Sequence, residues 1–268
     1  MLAVRWPPKP FIIREKYIGR KTFIRSVKVT HPTGTSIAVN KCIVTLCREF
    51  HDTPTLFYTE NDLVCRLHAL LEVEIGRKVV LDKDKSPHLL LHTEYPTPFL
   101  CTGGRKDFRI LPDGTRGARR GNYDLAILNP DVIREFSYEY VKSQDYSPHG
   151  KALKKWAEKN GPVIDFGIEL SYKRNAMSYS RQADRTGTAE KRAMKIVRDA
   201  KKLQAAIDVG FMREGRAILF VRRCGQSALE RIKSLTVDYP SVIVQPSIQC
   251  GQMENMKGFG AFSRKCHN

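Results

Sequence analysis

The chain has 268 residues, 41% of them hydrophobic, which is enough for one large domain or for a main domain with a smaller appendage. Its uninterrupted apolar stretches are shorter than the roughly 18 residues that span a membrane, and its first residues lack the apolar run of a secretory signal. We therefore expect a cytoplasmic protein without a membrane anchor. The formal net charge of +18 favours a polyanionic partner such as nucleic acid, with a basic surface that has no such partner as the alternative.

The first 50 residues are expected to form an N-terminal extension or a small subdomain. Residues 1–35 contain short β-like runs among many basic residues, which favours a small β-rich sheet or an arm. The apolar residues of 36–50 fit either a helix or a buried strand, because their periodicity does not decide between the two.

The first clear helix is predicted at residues 59–76. Thr59 followed by Asp62 fits a capping box that opens a helix, and the leucines that follow repeat at helical spacing. Strands are predicted next at residues 89–95, 108–111 and 123–128.

Residues 130–160 are predicted to be a charged helical insertion with a break around 147–150. The remaining elements are a strand at 164–173, a helix at 188–208, a strand at 217–221, a helix at 227–234 and a strand at 242–244. This order predicts an α/β core over residues 51–248, with a mixed central sheet that helices flank on both faces. Residues 249–268 are expected to be an irregular tail.

Two of these strands each carry a carboxylate among apolar neighbours, Asp124 in the strand 123–128 and Glu169 in the strand 164–173. Because side chains alternate along a strand, Lys173 shares a face with Glu169. Two carboxylates on adjacent strands, with a lysine nearby, can hold a hard divalent cation over a phosphodiester. The alternatives are an exposed Asp124 at the start of its strand, and a Glu169–Lys173 pair at the solvated end of an edge strand.

Glu60 is the third candidate acid. It lies on the same predicted helix face as Val64, Leu67 and Leu71, and so continues the buried stripe of that helix. An acid in the first helical turn also interacts favourably with the helix dipole, which would explain Glu60 without any further role.

Cations recur at helical spacing on one face of the helix predicted at 188–208, namely Lys191, Lys195, Arg198 and Lys202. Such an array can follow a phosphate backbone, although a plain solvated face fits the pattern equally well. Further candidate nucleic-acid contacts lie in the loops beside the carboxylates: Arg116, Arg119 and Arg120 before the first, and Arg174, Arg181 and Gln182 after the second.

The pattern resembles the PD-(D/E)xK nuclease superfamily, which has the restriction-endonuclease-like fold. Members place one acid on a first helix, an Asp on the second core strand and an acid-x-Lys motif on the third strand, before a further helix and strand. Here Glu60, Asp124 and Glu169 stand at these positions, and the segment Arg198–Leu203 is similar to the helix that follows. The resemblance covers about residues 59–222.

The chain departs from the family pattern at one position. The motif lysine would fall at residue 171, where the chain has Ser171. Lys173 on the same strand face, or a lysine of the next helix such as Lys191, is the expected replacement.

The resemblance implies a Mg²⁺- or Mn²⁺-dependent deoxyribonuclease that leaves 5′-phosphate ends, and it is compatible with a homodimer. Asp124 and Glu169 would ligate the metal with help from the carbonyl of Leu170. Glu60 would orient water or a second metal, and Lys173 would assist the nucleophile.

Two other functions remain open. If no lysine reaches the carboxylates, the chain would be a nuclease-fold protein that binds DNA or RNA as an assembly or regulatory subunit without cutting it. A basic RNA-binding protein unrelated to nucleases would instead hold Asp124 and Glu169 more than roughly 8 Å apart, too far to share a hard cation.

Overall fold

The computed structural model describes residues 34–76, 79–101, 110–111, 119–136, 146–173 and 188–247. All of them belong to one compact unit, Pro32–Asn268. The β-rich region expected before residue 34 and the irregular tail expected after residue 248 lie outside the described residues. None of the described helices is long and apolar enough to cross a membrane.

The helices are α1 (Gly34–Asp52), α2 (Glu60–Ile75), α3 (Pro130–Glu135), α4 (Tyr146–Asn160), α5 (Thr188–Asp208) and α6 (Gln226–Thr236), with a 3₁₀ turn at Pro54–Leu56. The strands are β1 (Val79–Leu81), β2 (Pro87–Leu89), β3 (Leu91–Cys101), β4 (Ile110–Leu111), β5 (Arg119–Leu128), β6 (Ile164–Lys173), β7 (Met212–Val221) and β8 (Val242–Pro246).

Within the described residues the main sheet has six strands in the order β4-β3-β5-β6-β7-β8, while β1 and β2 form a separate two-stranded hairpin. Neighbours from β4 to β6 run antiparallel, whereas β6, β7 and β8 run parallel to one another. The parallel strands are joined through α5 and α6, as parallel neighbours require a long crossover connection. The predicted α/β class with a mixed central sheet is therefore confirmed.

Helices cover both faces of this sheet. Helices α1 and α2 pack on one face, against apolar side chains such as Phe166 and Ile168 of β6. On the other face α3 to α6 pack through residues such as Ile196, Leu203 and Ile232. Because β6 lies between β5 and β7 and is covered on both sides, the carboxylate that it carries is held in the interior.

Residues 36–50, which fitted either a helix or a buried strand, belong to helix α1. Its buried residues Val39, Ile43, Leu46 and Phe50 lie three or four positions apart and form one apolar stripe. This stripe packs in the same core as α2 and the sheet. The helix runs across residue 50, the expected boundary of an N-terminal subdomain, so residues 34–50 belong to the core.

Two other predicted details differ from the structure. The break expected at 147–150 lies inside α4, because Pro148 falls in the first turn of that helix, where its missing N–H is not needed. Strand β5 begins at Arg119, earlier than the predicted residue 123, because its pairing with β3 continues as far as Cys101. Asp124 is therefore inside its strand rather than at its exposed start.

Candidate active site

The proposed site lies where β5 and β6 separate. Their ladder begins at the pair Leu125–Ile168, although β5 starts at Arg119 and β6 continues to Lys173. Beyond that pair the N–H groups of β6 that would have bonded to β5 need other acceptors. Side-chain carboxylates provide them.

Two of the three candidate acids accept these hydrogen bonds. The N–H of Leu170 donates to Oδ2 of Asp124 at 2.6 Å, and the N–H of Tyr172 donates to Oε2 of Glu60 at 3.1 Å. Since the N–H and C=O of one strand residue point to the same side, the carbonyl of Leu170 faces the same gap. The separation of the strands thus gathers carboxylate and carbonyl oxygens at one place.

The third acid, Glu169, lies beside Asp124. One step beyond the pair Leu125–Ile168, the antiparallel register places Asp124 opposite Glu169. Burial is the main cause of the raised pKa of Glu169, and the nearby charge of Asp124 raises that pKa further. The register therefore brings the two predicted carboxylates together.

A lysine does reach this pair, and it is Lys202 of α5. Its Nζ lies 2.5 Å from Oε1 of Glu169 and donates to the carbonyl of Asn122 at 2.7 Å. Oε1 of Glu169 accepts no hydrogen bond of regular geometry among the described residues, so its contact with Lys202 is an ion pair. Only 12% of the Lys202 side chain and 5% of the Glu169 side chain are exposed.

The burial of this cluster shifts the pKa values of its members. Burial raises the pKa of Asp124 to about 6. The hydrogen bond from the Leu170 N–H and the charge of Lys202 oppose this shift. Burial likewise raises the pKa of Glu169 well above its usual range, with Lys202 opposing the shift. Burial alone would lower the pKa of Lys202, but the surrounding carboxylates, Glu169 first among them, outweigh it and raise the pKa. Lys202 is therefore a protonated cation at neutral pH.

Glu60 is held by the start of α2. The Thr59 hydroxyl accepts the N–H of Asp62, and the Asp62 side chain accepts the N–H of Thr59, so the predicted capping box is present. Glu60 is the first residue of the helix and forms an ion pair with Lys195 of α5 at 3.1 Å. About a third of each side chain remains exposed, 37% for Glu60 and 39% for Lys195.

Lys173, the lysine candidate on the same strand as Glu169, lies farther from Glu169 than Lys202 does. Ser171 follows on the same face, is 2% exposed, and its Oγ has no hydrogen-bond partner within the described part of the chain. Lys173 lies four residues from Glu169, which corresponds to about 13 Å between Cα atoms along a strand. Its carbonyl accepts the N–H of Arg222 at the end of β7.

The predicted phosphate-binding array on α5 is partly used inside the protein. Lys195 and Lys202 form ion pairs with Glu60 and Glu169, and a guanidinium nitrogen of Arg198 lies 3.9 Å from Asp199. The side chains of Lys191, Arg119 and Arg120 lie outside the described part, as do Arg116, Arg174, Arg181 and Gln182 altogether.

Two features of this site were not predicted from the sequence. They are the ion pair that Lys202 forms with Glu169 and the burial of the Asp199 carboxylate. Asp199 is only 5% exposed and lies between the buried residues Ile196 and Leu203 on α5. An acid on the sheet-facing stripe of a helix costs free energy unless charges compensate it, and that was the available signal.

The oxygen donors suit a hard divalent cation. Asp124, Glu169 and the carbonyl of Leu170 are the ligand types that Mg²⁺ and Mn²⁺ prefer. Burial raises the pKa of both carboxylates, and a cation bound to them would offset this cost of ionisation. The structure's described residues contain no group of three or more His, Cys, Asp or Glu side chains placed to hold a metal.

Comparison of the chain with protein-family models, with curated protein sequences and with solved structures finds no match.

Proposed function

We propose that the protein is a metal-dependent endonuclease that hydrolyses DNA phosphodiester bonds and has a restriction-endonuclease-like core. The observation that carries the proposal is the meeting of Asp124, Glu169 and the buried ammonium of Lys202 where β5 and β6 separate. The order of elements supports it: an acid on α2, an acid on β5, an acid on its neighbour β6, and then α5 and β7. This order is the one that the sequence resemblance implies.

The residues of the site would have different roles in the reaction. Asp124 and Glu169, with the carbonyl of Leu170, would hold Mg²⁺ or Mn²⁺. When bound, such an ion polarises a phosphoryl oxygen and lowers the pKa of a bound water. Glu60, which faces the same gap, would orient water.

Lys202, rather than Lys173, takes the place of the motif lysine. Because the pKa of Lys202 is raised, it does not accept a proton from water at neutral pH. Its fixed positive charge instead stabilises the negative charge that develops on the phosphate during hydrolysis. Its hydrogen bond to the Asn122 carbonyl holds the ammonium in place for this task.

The proposal is tested by incubating supercoiled plasmid with the protein in Mg²⁺, Mn²⁺ or EDTA. Wild type nicks or linearises the plasmid in either metal and not in EDTA. Asp124→Asn and Lys202→Met abolish cleavage, whereas Lys173→Met, the matched control four residues from Glu169, retains it. Cleavage that persists in EDTA or in Asp124→Asn would exclude this mechanism.

A second function is favoured by the same ion pair. A lysine 2.5 Å from Glu169 can serve as a built-in counterion that stabilises the carboxylates without metal. The protein would then be a catalytically inactive nuclease-fold subunit that binds DNA or RNA. Plasmid that stays intact in both metals, together with binding that weakens as salt is added, would select this alternative.

A further inference from the structure

The charged residues of α5 that face the site alternate in sign. Lys195, Asp199 and Lys202 follow one another at spacings of four and three residues, so they are neighbours on one helix face. From this face each lysine forms an ion pair with an acid on another element: Lys195 with Glu60 of α2, and Lys202 with Glu169 of β6. Asp199 is the only member of the three that pairs with residues of its own helix in the described contacts.

Asp199 cannot be explained as a surface charge, because it is only 5% exposed. Burying a carboxylate is unfavourable unless cations compensate its charge. The cations that act on it are Lys202, Lys195 and Arg198, in decreasing order, and all three belong to α5. The carboxylate thus lies between two lysines that are each committed to a different acid of the site.

We propose that Asp199 is a positioning residue that holds Lys195 and Lys202 on one face of α5, so that each ammonium reaches its own carboxylate. Without its charge the two ammonium groups would lie about two helical turns apart on the same face with no anion between them. Lys202 would then lose one of the carboxylates that surround it and would turn away from Glu169. The proposal rests on the nuclease function in one respect, that Lys202 is the lysine that acts on the phosphate.

A double-mutant cycle tests the placement of Lys202 without any assay of cleavage. Urea unfolding of the full chain is measured for wild type, Asp199→Asn, Lys202→Met and the double variant. If Asp199 positions Lys202, the change in midpoint caused by Asp199→Asn is smaller in the Lys202→Met background than in wild type. Equal changes in the two backgrounds would overturn the proposal, whether or not the protein cleaves DNA.

Kinetics then separate positioning from a general loss of stability. Asp199→Asn should lower kcat by about 10- to 100-fold, the usual effect of removing a group that orients a reacting residue, and should leave KM within about twofold. Asp199→Glu, which keeps the charge, recovers part of kcat. The matched control is Asp208→Asn, since Asp208 is an exposed acid at the end of the same helix.

An unchanged kcat in Asp199→Asn would contradict the positioning role. A wild type that does not cleave would remove the nuclease proposal and leave the unfolding cycle as the deciding result.

Discussion

At the scale of single residues, the site is built at a cost to stability. Burial raises the pKa of Asp124 from 3.8 to about 6, so the folded protein binds this proton more tightly than the unfolded chain does. The resulting contribution to stability is fully present below about pH 4 and is lost as the pH rises through about 6. A shift of this size corresponds to roughly 3 kcal/mol at most.

We therefore expect Asp124→Asn to be more stable than wild type at pH 8, by about 1–3 kcal/mol, with little gain near pH 4. The amide is never ionised, and its oxygen can still accept the N–H of Leu170. Urea unfolding of both proteins at pH 4, 6 and 8 measures the difference, with Asp208→Asn as the exposed control. A gain that did not grow with pH would show that the ionised Asp124 carboxylate is not destabilising.

The residues of the site were predictable to different degrees. Asp124 and Glu169 could be identified because each is an acid inside an apolar strand, and a strand register then determines their meeting. Lys202 could not be assigned to Glu169, because the two residues come together only through the docking of α5 on the sheet. The helical spacing of Lys202 was equally compatible with a solvated helix face.

At the scale of elements, a pair of glycines lets α5 approach the sheet near Lys202. Gly167 of β6 lies opposite Gly215 of β7. A Cβ at Gly167 would overlap the Met212 side chain and lie 3.2 Å from Cδ2 of Leu203, while one at Gly215 would lie 3.1 Å from the same atom. Since Leu203 directly follows Lys202, the absence of both Cβ atoms keeps the lysine within reach of Glu169.

Gly167→Val should therefore lower the stability of the fold by about 1–3 kcal/mol, as overpacking of a core does. It should also reduce plasmid cleavage, because α5 moves away from β6. Gly34→Ala is the matched control, since a Cβ there has no heavy atom within 4 Å. Unfolding midpoints and cleavage rates of the two variants give the comparison, and wild-type behaviour of Gly167→Val would refute the close-packing argument.

The start of α2 gives a second prediction for an element. Thr59→Ala removes the hydroxyl that caps the N–H of Asp62, and the expected cost is about 0.5–2 kcal/mol. The control is Thr45→Ala, whose hydroxyl bonds to the carbonyl of Lys41 within α1 and caps no helix end. Urea unfolding should separate the two variants. Equal losses would mean that the capping box adds nothing beyond an ordinary threonine contact.

Elements with a strong local signal were predicted well. The capping box of α2 and the helical spacing of the cations along α5 lie within single segments of sequence, and both helices are where the sequence placed them. The start of β5 depends instead on its partner β3, which carries no local signal of how far the pairing extends. Pro148 was taken as a helix breaker because a first-turn proline and a break look alike until the helix start is known.

At the scale of the whole molecule, most of the positive charge that would bind a polyanion lies outside the site. Of the 46 Lys and Arg residues, Lys195 and Lys202 are engaged by carboxylates of the cluster. They contribute less to a phosphate-binding surface than the spacing along α5 suggested. The net charge of +18 still favours a polyanion, through cations distributed over the rest of the chain.

Binding of the metal-free protein to duplex DNA should therefore weaken steeply with salt. If about six phosphates are contacted, affinity falls on the order of 10³-fold between about 50 and 200 mM salt. Fluorescence anisotropy in EDTA measures this slope, and a duplex with uncharged methylphosphonate linkages is the control, because it should bind weakly at every salt concentration. Lys202→Met should keep the wild-type slope, since its ammonium is buried against Glu169 and releases no counterion on binding. A slope that fell by about one unit in this variant would instead place Lys202 on the phosphate backbone already in the absence of metal.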